Sequence, residues 1–225
     1  MREEIRTARI TGIWYLMLAI SGMVGFLTLH PQVYISNDAA KTLANLGDHE
    51  TLARIRLLLE FAIVISQALA AVWFFKLFKD INHTAAWALA AWGTLNAAAI
   101  MISAMAMGGA LGVASSTHSL EDKVIMIEIL NQFIRNAWGV GSIFFGLWLI
   151  PMGYIVISSK RMPVWLGRVL IIGGAGYLIS MCISYAGIKG AWIDMLVIPA
   201  TIGEFWMISY LLIFGIRPSP EPSQT

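Results

Sequence analysis

Six stretches of the chain are continuously apolar over a length that fits a bilayer. They run over about 10–29, 55–76, 85–111, 138–158, 165–187 and 195–216. Each is near the ~20 residues that a helix needs to cross ~30 Å of hydrocarbon. None alternates polar and apolar residues in the period of two that a membrane barrel requires. A helix is the other spanning structure that satisfies its own backbone in lipid. The pattern therefore predicts an all-α fold, a polytopic bundle of six transmembrane helices.

A further helical pattern precedes the fourth span. Val124, Ile127, Leu130, Ile134 and Trp138 recur at three- and four-residue spacing, with Glu128, Gln132 and Arg135 on another face. Ser119 and Asp122 form a capping pair ahead of it. A continuous helix over 120–158 would be roughly 58 Å long, about twice the membrane core. Its first half, about 120–137, is expected to be an amphipathic segment on or above the outer surface. Gly139 and Gly141 are expected bend points, and Pro151 a kink.

Charge sets the expected orientation. Arg2, Arg6, Arg9, Lys76, Lys79, Lys160, Arg161, Arg168 and Arg217 fall on one side of the spans, nine of the fifteen cations, and six on the other. The larger group is concentrated in short loops, which predicts an N-in/C-in arrangement. The connection 30–53 and the one opening at Ser115 are then outer loops. The first apolar stretch is too long for a signal-peptide core and no A-x-A-like cleavage site follows it, so it is expected to persist as helix one. Residues 1–217 read as a single domain and 218–225 as a disordered tail. The halves show no inverted repeat of the transporter type.

Composition agrees with this reading: 58% of residues are hydrophobic and 12% charged, against about 25% charged in soluble domains. A net charge of +2 without any Lys/Arg run argues against nucleic acid as a partner. Cys182 is the one cysteine, so neither an internal disulfide nor a thiolate metal site can form. His30, His49 and His118 are expected in outer loops without ligand-like pairing beyond His118 and Glu121, and no metal or cofactor is expected. The clusters Gly22/Gly25, Gly108/Gly109/Gly112 and Gly173/Gly174/Gly176 read as close helix packing. None opens a phosphate-binding loop.

The candidate chemistry lies in two carboxylates inside spans, Glu60 and Glu204. A charge at membrane depth costs at least ~2.5–3.5 kcal/mol, so each needs a partner or a use. Arg56, Glu60 and Gln67 share one helix face. Thr201 and Glu204 are three apart, Asn96 and Ser103 seven apart, and Tyr177, Ser180 and Ser184 follow helical spacing. One reading makes these an outward-facing polar pocket. Glu60 and Glu204 are then its catalytic or proton-holding floor, and Arg56, Gln67, Asn96, Arg135, Tyr177, Ser180 and Thr201 are its ligand-binding wall. An unpaired carboxyl in low dielectric favours its protonated form and can pass a proton. The other reading pairs Glu60 with Arg56 and bonds Glu204 to backbone or to Asn96, as structural glue.

Three functions follow from these readings. The first is binding or transport of a small or lipophilic solute, proton-coupled through a carboxylate. The second is a membrane-embedded acid–base enzyme acting on a prenyl or lipid chain, with chemistry like that of terpene cyclases. The third is a structural or accessory subunit. The expected partners are the bilayer and a small or lipophilic ligand, with a homo-oligomer left open.

Several segments resemble a family of bacterial membrane proteins known as domain of unknown function forty-three eighty-six. They are the run Ala8–Leu16, Phe144-Phe145-Gly146-Leu147 with Gly153-Tyr154, Pro163-Val164-Trp165-Leu166-Gly167, Gly176-Tyr177-Leu178, and Pro199 with Gly203-Glu204. The resemblance covers about 8–217. Where many relatives carry an Asp-His-like stretch, this chain has Gln132-Phe133-Ile134-Arg135-Asn136. The resemblance implies six helices and a multi-pass place in a bacterial cytoplasmic membrane, and it implies no reaction.

Overall fold

The computed structural model describes residues 2–218, and every regular element within them is helical. In order they are α1 (Arg2–Gly22), a π-helical segment (Met23–Leu29), α2 (His30–Val33), α3 (Ala39–Asp48), α4 (Glu50–Phe78), α5 (His83–Ala114), α6 (Leu120–Ser159), α7 (Val164–Tyr185), α8 (Trp192–Met195) and α9 (Ile198–Ile213). Six stretches are long and apolar enough to cross a membrane: Arg2–Val33, Glu50–Phe78, His83–Ala114, Leu120–Ser159, Val164–Tyr185 and Trp192–Ile213. They overlap the six stretches expected from hydropathy, and the protein is a multi-pass membrane protein. Most of the expected tail, 219–225, lies outside the described residues.

One local feature differs from the sequence expectation. The connection 30–53 is mostly helical. Asp38 caps α3 by accepting the Lys41 N–H at 2.8 Å, and Ala39, Thr42, Leu43 and Leu46 form its buried face. Polar residues on the other face of that short helix mask its period. The helix α6 runs without a break over 40 residues, through Gly139, Gly141 and Pro151. It begins as expected: the Ser119 hydroxyl donates to the Asp122 carboxylate at 2.6 Å and accepts the Asp122 N–H at 3.2 Å.

The described chain divides into two compact units. The first takes the residues up to Leu16, Gln67–Asn96 and those from Ser142 onward; the second takes Met17–Ser66 and Ala97–Gly141.

In the first unit, Tyr15 packs edge-on against Phe74 and Trp148, with ring centroids 5.5 and 5.4 Å away. Glycines bring its helices together. A Cβ on Gly174 would lie 2.7 Å from the Gly146 carbonyl oxygen, and one on Gly153 would lie 2.5 Å from that of Gly167. Gly173 likewise meets the backbone of Ala200. Gly146, Gly153 and Gly167, which carry part of the family resemblance, are thus contact points between α6 and α7. At Gly22, Gly108 and Gly112 an added Cβ would have no neighbour within 4 Å, so these three do not serve the close packing expected of them. Arg161 ties the segment after α6 to both chain ends of this unit. It donates to Glu4 at 2.8 Å and to the Arg217 carbonyl at 2.5 Å.

In the second unit, Val33, Tyr34, Leu43, Leu46, Met107, Ala110, Ile127 and Ile134 form a continuous apolar core. Each fully buried Leu or Ile side chain contributes roughly 1.5–3 kcal/mol in water-facing surroundings. That core fixes α2 and α3 against the ends of α4, α5 and α6, and so fixes the polar groups beside it.

Candidate functional site

The polar centre of the second unit starts from one turn of α4. Arg56 and Glu60 are four residues apart, which stacks them on one helix face. Arg56 Nη1 donates to Glu60 Oε2 at 2.8 Å, and both side chains are 0% exposed. From α6, the Trp138 indole Nε1 donates to the other oxygen, Oε1, at 2.9 Å. Each carboxylate oxygen therefore holds a donor. A buried ion pair offsets its desolvation only when such extra hydrogen bonds are present.

Gly25 makes room for the cation. A Cβ there would lie 3.3 Å from Arg56 Nη1 and 3.5 Å from Cζ. Gly25 belongs to the π-helical segment, a wide-turn geometry that recurs at functional sites. The same segment starts an aromatic ladder at four-residue spacing. Phe26 leans on Trp138 at 5.2 Å, His30 stacks on Phe26 at 5.2 Å and 7°, and Tyr34 stacks on His30 at 4.9 Å and 20°. His30, Tyr34, Asn131 and Arg135 line a cleft of about 20 Å³, room for roughly one water.

Several buried polar atoms of the second unit have no hydrogen-bond partner among the described residues. They are Arg56 Nε and Nη2, His30 Nδ1, the Tyr34 hydroxyl, Asn131 Oδ1 and Ser103 Oγ. Arg135 is exposed at the cleft and pairs with Glu128 at 3.4 Å.

Glu204 belongs to the first unit. It is partly buried, and the fully buried Tyr15 hydroxyl donates to its Oε1 at 2.7 Å. The partner is Tyr15 and not Asn96, whose amide atoms are buried without partners. Gln67 is likewise buried in the first unit with both amide atoms unbonded. Tyr177 stacks on Phe145 at 5.7 Å, Ser180 is partly buried, and Thr201 is exposed.

The structure brings Arg56 and Glu60 together, and Arg135 lines the cleft with His30, Tyr34 and Asn131 in the same unit. Gln67, Asn96, Tyr177, Ser180, Thr201 and Glu204 fall in the other unit. Sequence reasoning alone makes Trp138 part of an apolar stripe and His30 a loop residue, and it misses both here. The spacing of Phe26, His30 and Tyr34 is the signal that joins His30 to a helix.

A family model for a domain of unknown function, DUF4386, matches residues 10–215. An uncharacterized protein of Archaeoglobus fulgidus is 40% identical over 48 residues, which cover 21% of this chain and 30% of that protein. The chain therefore matches less than a third of that relative's length. No solved structure matches the chain.

Proposed function

The chain belongs to the DUF4386 family, and we propose that it binds a small solute at the polar centre around Arg56. One observation carries this reading. The Arg56 guanidinium is wholly buried, fixed through Nη1 by Glu60, and its Nε and Nη2 donors bond nothing else in the described chain. Burying a charge with part of its hydrogen-bonding capacity unmet is costly. A solute that completes the shell offsets that cost.

On this reading Glu60 holds Arg56 in place. One of its oxygens accepts from that permanent cation and the other from the Trp138 indole. Glu204, bonded by a neutral hydroxyl, is the candidate for proton exchange. An acid–base enzyme on a prenyl chain would need two carboxyls free to trade protons, and Glu60 is committed. With N- and C-termini inside, as the nine-to-six split of cations favours, the cleft opens outward. In a bacterium the membrane would be the cytoplasmic one.

The test is thermal unfolding of the full chain in detergent against a panel of small solutes. At least one should raise the midpoint of the wild type and leave the double variant Arg56→Leu/Glu60→Leu unmoved. If no solute separates the two proteins, the polar centre is packing and the chain is a structural subunit.

A further inference from the structure

We infer that one anionic phospholipid of the surrounding bilayer binds in a cleft of the first unit, with its phosphate on Arg217. This site is separate from the polar centre around Arg56, which belongs to the second unit. The end of α9 builds it. Gly215 follows that helix at φ +72°, a left-handed turn that glycine adopts without strain, and its N–H donates to the Tyr210 carbonyl at 3.1 Å. Past the turn, Ile216 is buried and Arg217 meets the segment ahead of α7. The Arg217 N–H donates to the Arg161 carbonyl at 3.1 Å, and the Arg217 carbonyl accepts from Arg161 Nε at 2.5 Å. The backbone of Arg217 is thus held at both polar atoms. Its side chain is exposed and has no carboxylate partner among the described residues.

Arg217 lines a cleft of about 470 Å³ together with Pro163, Trp206, Tyr210, Phe214 and Ile216. That volume falls within the roughly 300–1,000 Å³ that small-molecule sites occupy. Trp206 and Phe214 are 37% and 66% exposed, so the apolar wall is open to its surroundings. The α9 helix ends at Ile213 and α7 begins at Val164, which puts the cleft where two spans reach the headgroup layer. Indole and basic side chains at that depth are the groups that hold lipid headgroups. No carboxylate lines the cleft, so an ammonium headgroup finds no counter-charge there. A phosphate meets the paired N–H groups of a guanidinium. Tyr210 adds a second polar contact. It is 5% exposed, and its hydroxyl is buried without a partner among the described residues. Leaving such a hydroxyl unbonded is costly, and the ester and phosphate oxygens of a phospholipid are acceptors for it. The apolar wall of Trp206, Phe214 and Ile216 then takes the start of the acyl chains, which a soluble phosphate ester lacks.

The experiment is native mass spectrometry of the full-length protein in detergent, titrated with phosphatidylglycerol, with phosphatidylcholine of the same chains, and with glycerol 3-phosphate. The first phosphatidylglycerol should bind roughly fivefold tighter than phosphatidylcholine, the factor expected of one cation beside an anionic headgroup. Arg217→Gln should erase that difference, and its fold contacts survive because they are made by the backbone. Tyr210→Phe should weaken both lipids by roughly two- to tenfold, the worth of one hydrogen bond, and leave their ratio unchanged. Arg168, an exposed cation stacked over Trp165 outside the cleft, is the control: Arg168→Gln should keep the preference. Equal binding of the two lipids by the wild type sinks the proposal, as does a preference that survives Arg217→Gln. A preference lost equally in Arg168→Gln would make it a property of the whole charged surface. Unchanged lipid affinity in Tyr210→Phe would remove the lipid from this cleft. Glycerol 3-phosphate binding as tightly as the lipid would replace the lipid by a soluble phosphate ester.

Discussion

Trp138 reaches Glu60 across 78 positions of sequence and places its indole nitrogen 2.9 Å from Oε1. The bond does more than add one contact. Arg56 already occupies Oε2, so α4 and α6 each give a donor to one oxygen of the carboxylate. On the cation, Nε and Nη2 have no partner among the described residues.

The pair should therefore behave as a unit in stability. Glu60→Gln leaves a buried guanidinium without its counter-charge, a change that costs about 3–5 kcal/mol when a buried pair is broken from one side. Arg56→Leu/Glu60→Leu should unfold much closer to the wild type than either single variant does. Thermal or denaturant unfolding in one fixed detergent reads this directly. Equal losses in the single and double variants would mean that the pair is not coupled.

Trp138→Phe separates the two jobs of the indole. The ring that leans on Phe26 stays, while the N–H on Glu60 goes. The expected loss is about 1.5–3 kcal/mol, the range for a hydrogen bond to a charged group. Trp138→Phe in the Arg56→Leu/Glu60→Leu background should cost far less. A loss of the same size in both backgrounds would assign the effect to ring packing.

Much of the fold is legible in the sequence because hydropathy and helix length both follow from the bilayer. The six spans need only runs of apolar residues, and the start of α6 needs only Ser119 and Asp122. The Arg56–Glu60 pair is legible as well, since four-residue spacing on a helix makes contact local. Trp138 is not. Its bond to Glu60 depends on how α6 lies against α4, which no local spacing encodes. The π-helical turn at Met23–Leu29 is hidden for a related reason: its residues are ordinary helix formers, and only packing of Gly25 on Arg56 distinguishes it. Among the glycines, clustering in sequence is a poor guide. A Cβ added at Gly108 or Gly112 would meet no neighbour, whereas at the widely spaced Gly146, Gly153 and Gly167 it would meet the facing helix.

That contrast gives a stability test. Gly153→Ala puts a methyl 2.5 Å from the Gly167 carbonyl oxygen and 2.7 Å from the Ile171 side chain, so α6 and α7 must separate. Overpacking of this kind costs about 1–3 kcal/mol. Gly108→Ala and Gly112→Ala meet open space and gain helix propensity, so they should be neutral or stabilising by up to ~1 kcal/mol. Unfolding midpoints of the three variants should separate in that order. A neutral Gly153→Ala would show that the helices do not approach through this glycine.

Tyr15 and Glu204 form the other intramembrane acid contact, and here donor and acceptor differ in what they can lose. Tyr15→Phe keeps the ring against Phe74 and Trp148 and removes only the hydroxyl that sits 2.7 Å from Oε1. A carboxylate stripped of that donor should cost about 1–3 kcal/mol. Glu204→Leu removes the acceptor, leaving the buried hydroxyl unbonded instead. If the two groups act through one another, the double variant should lose less than the sum of the singles, by about 1 kcal/mol or more. Additivity within ~0.5 kcal/mol would instead make them independent. The hydrogen bond would then have no energetic weight, and Glu204 would have to be held by something other than Tyr15.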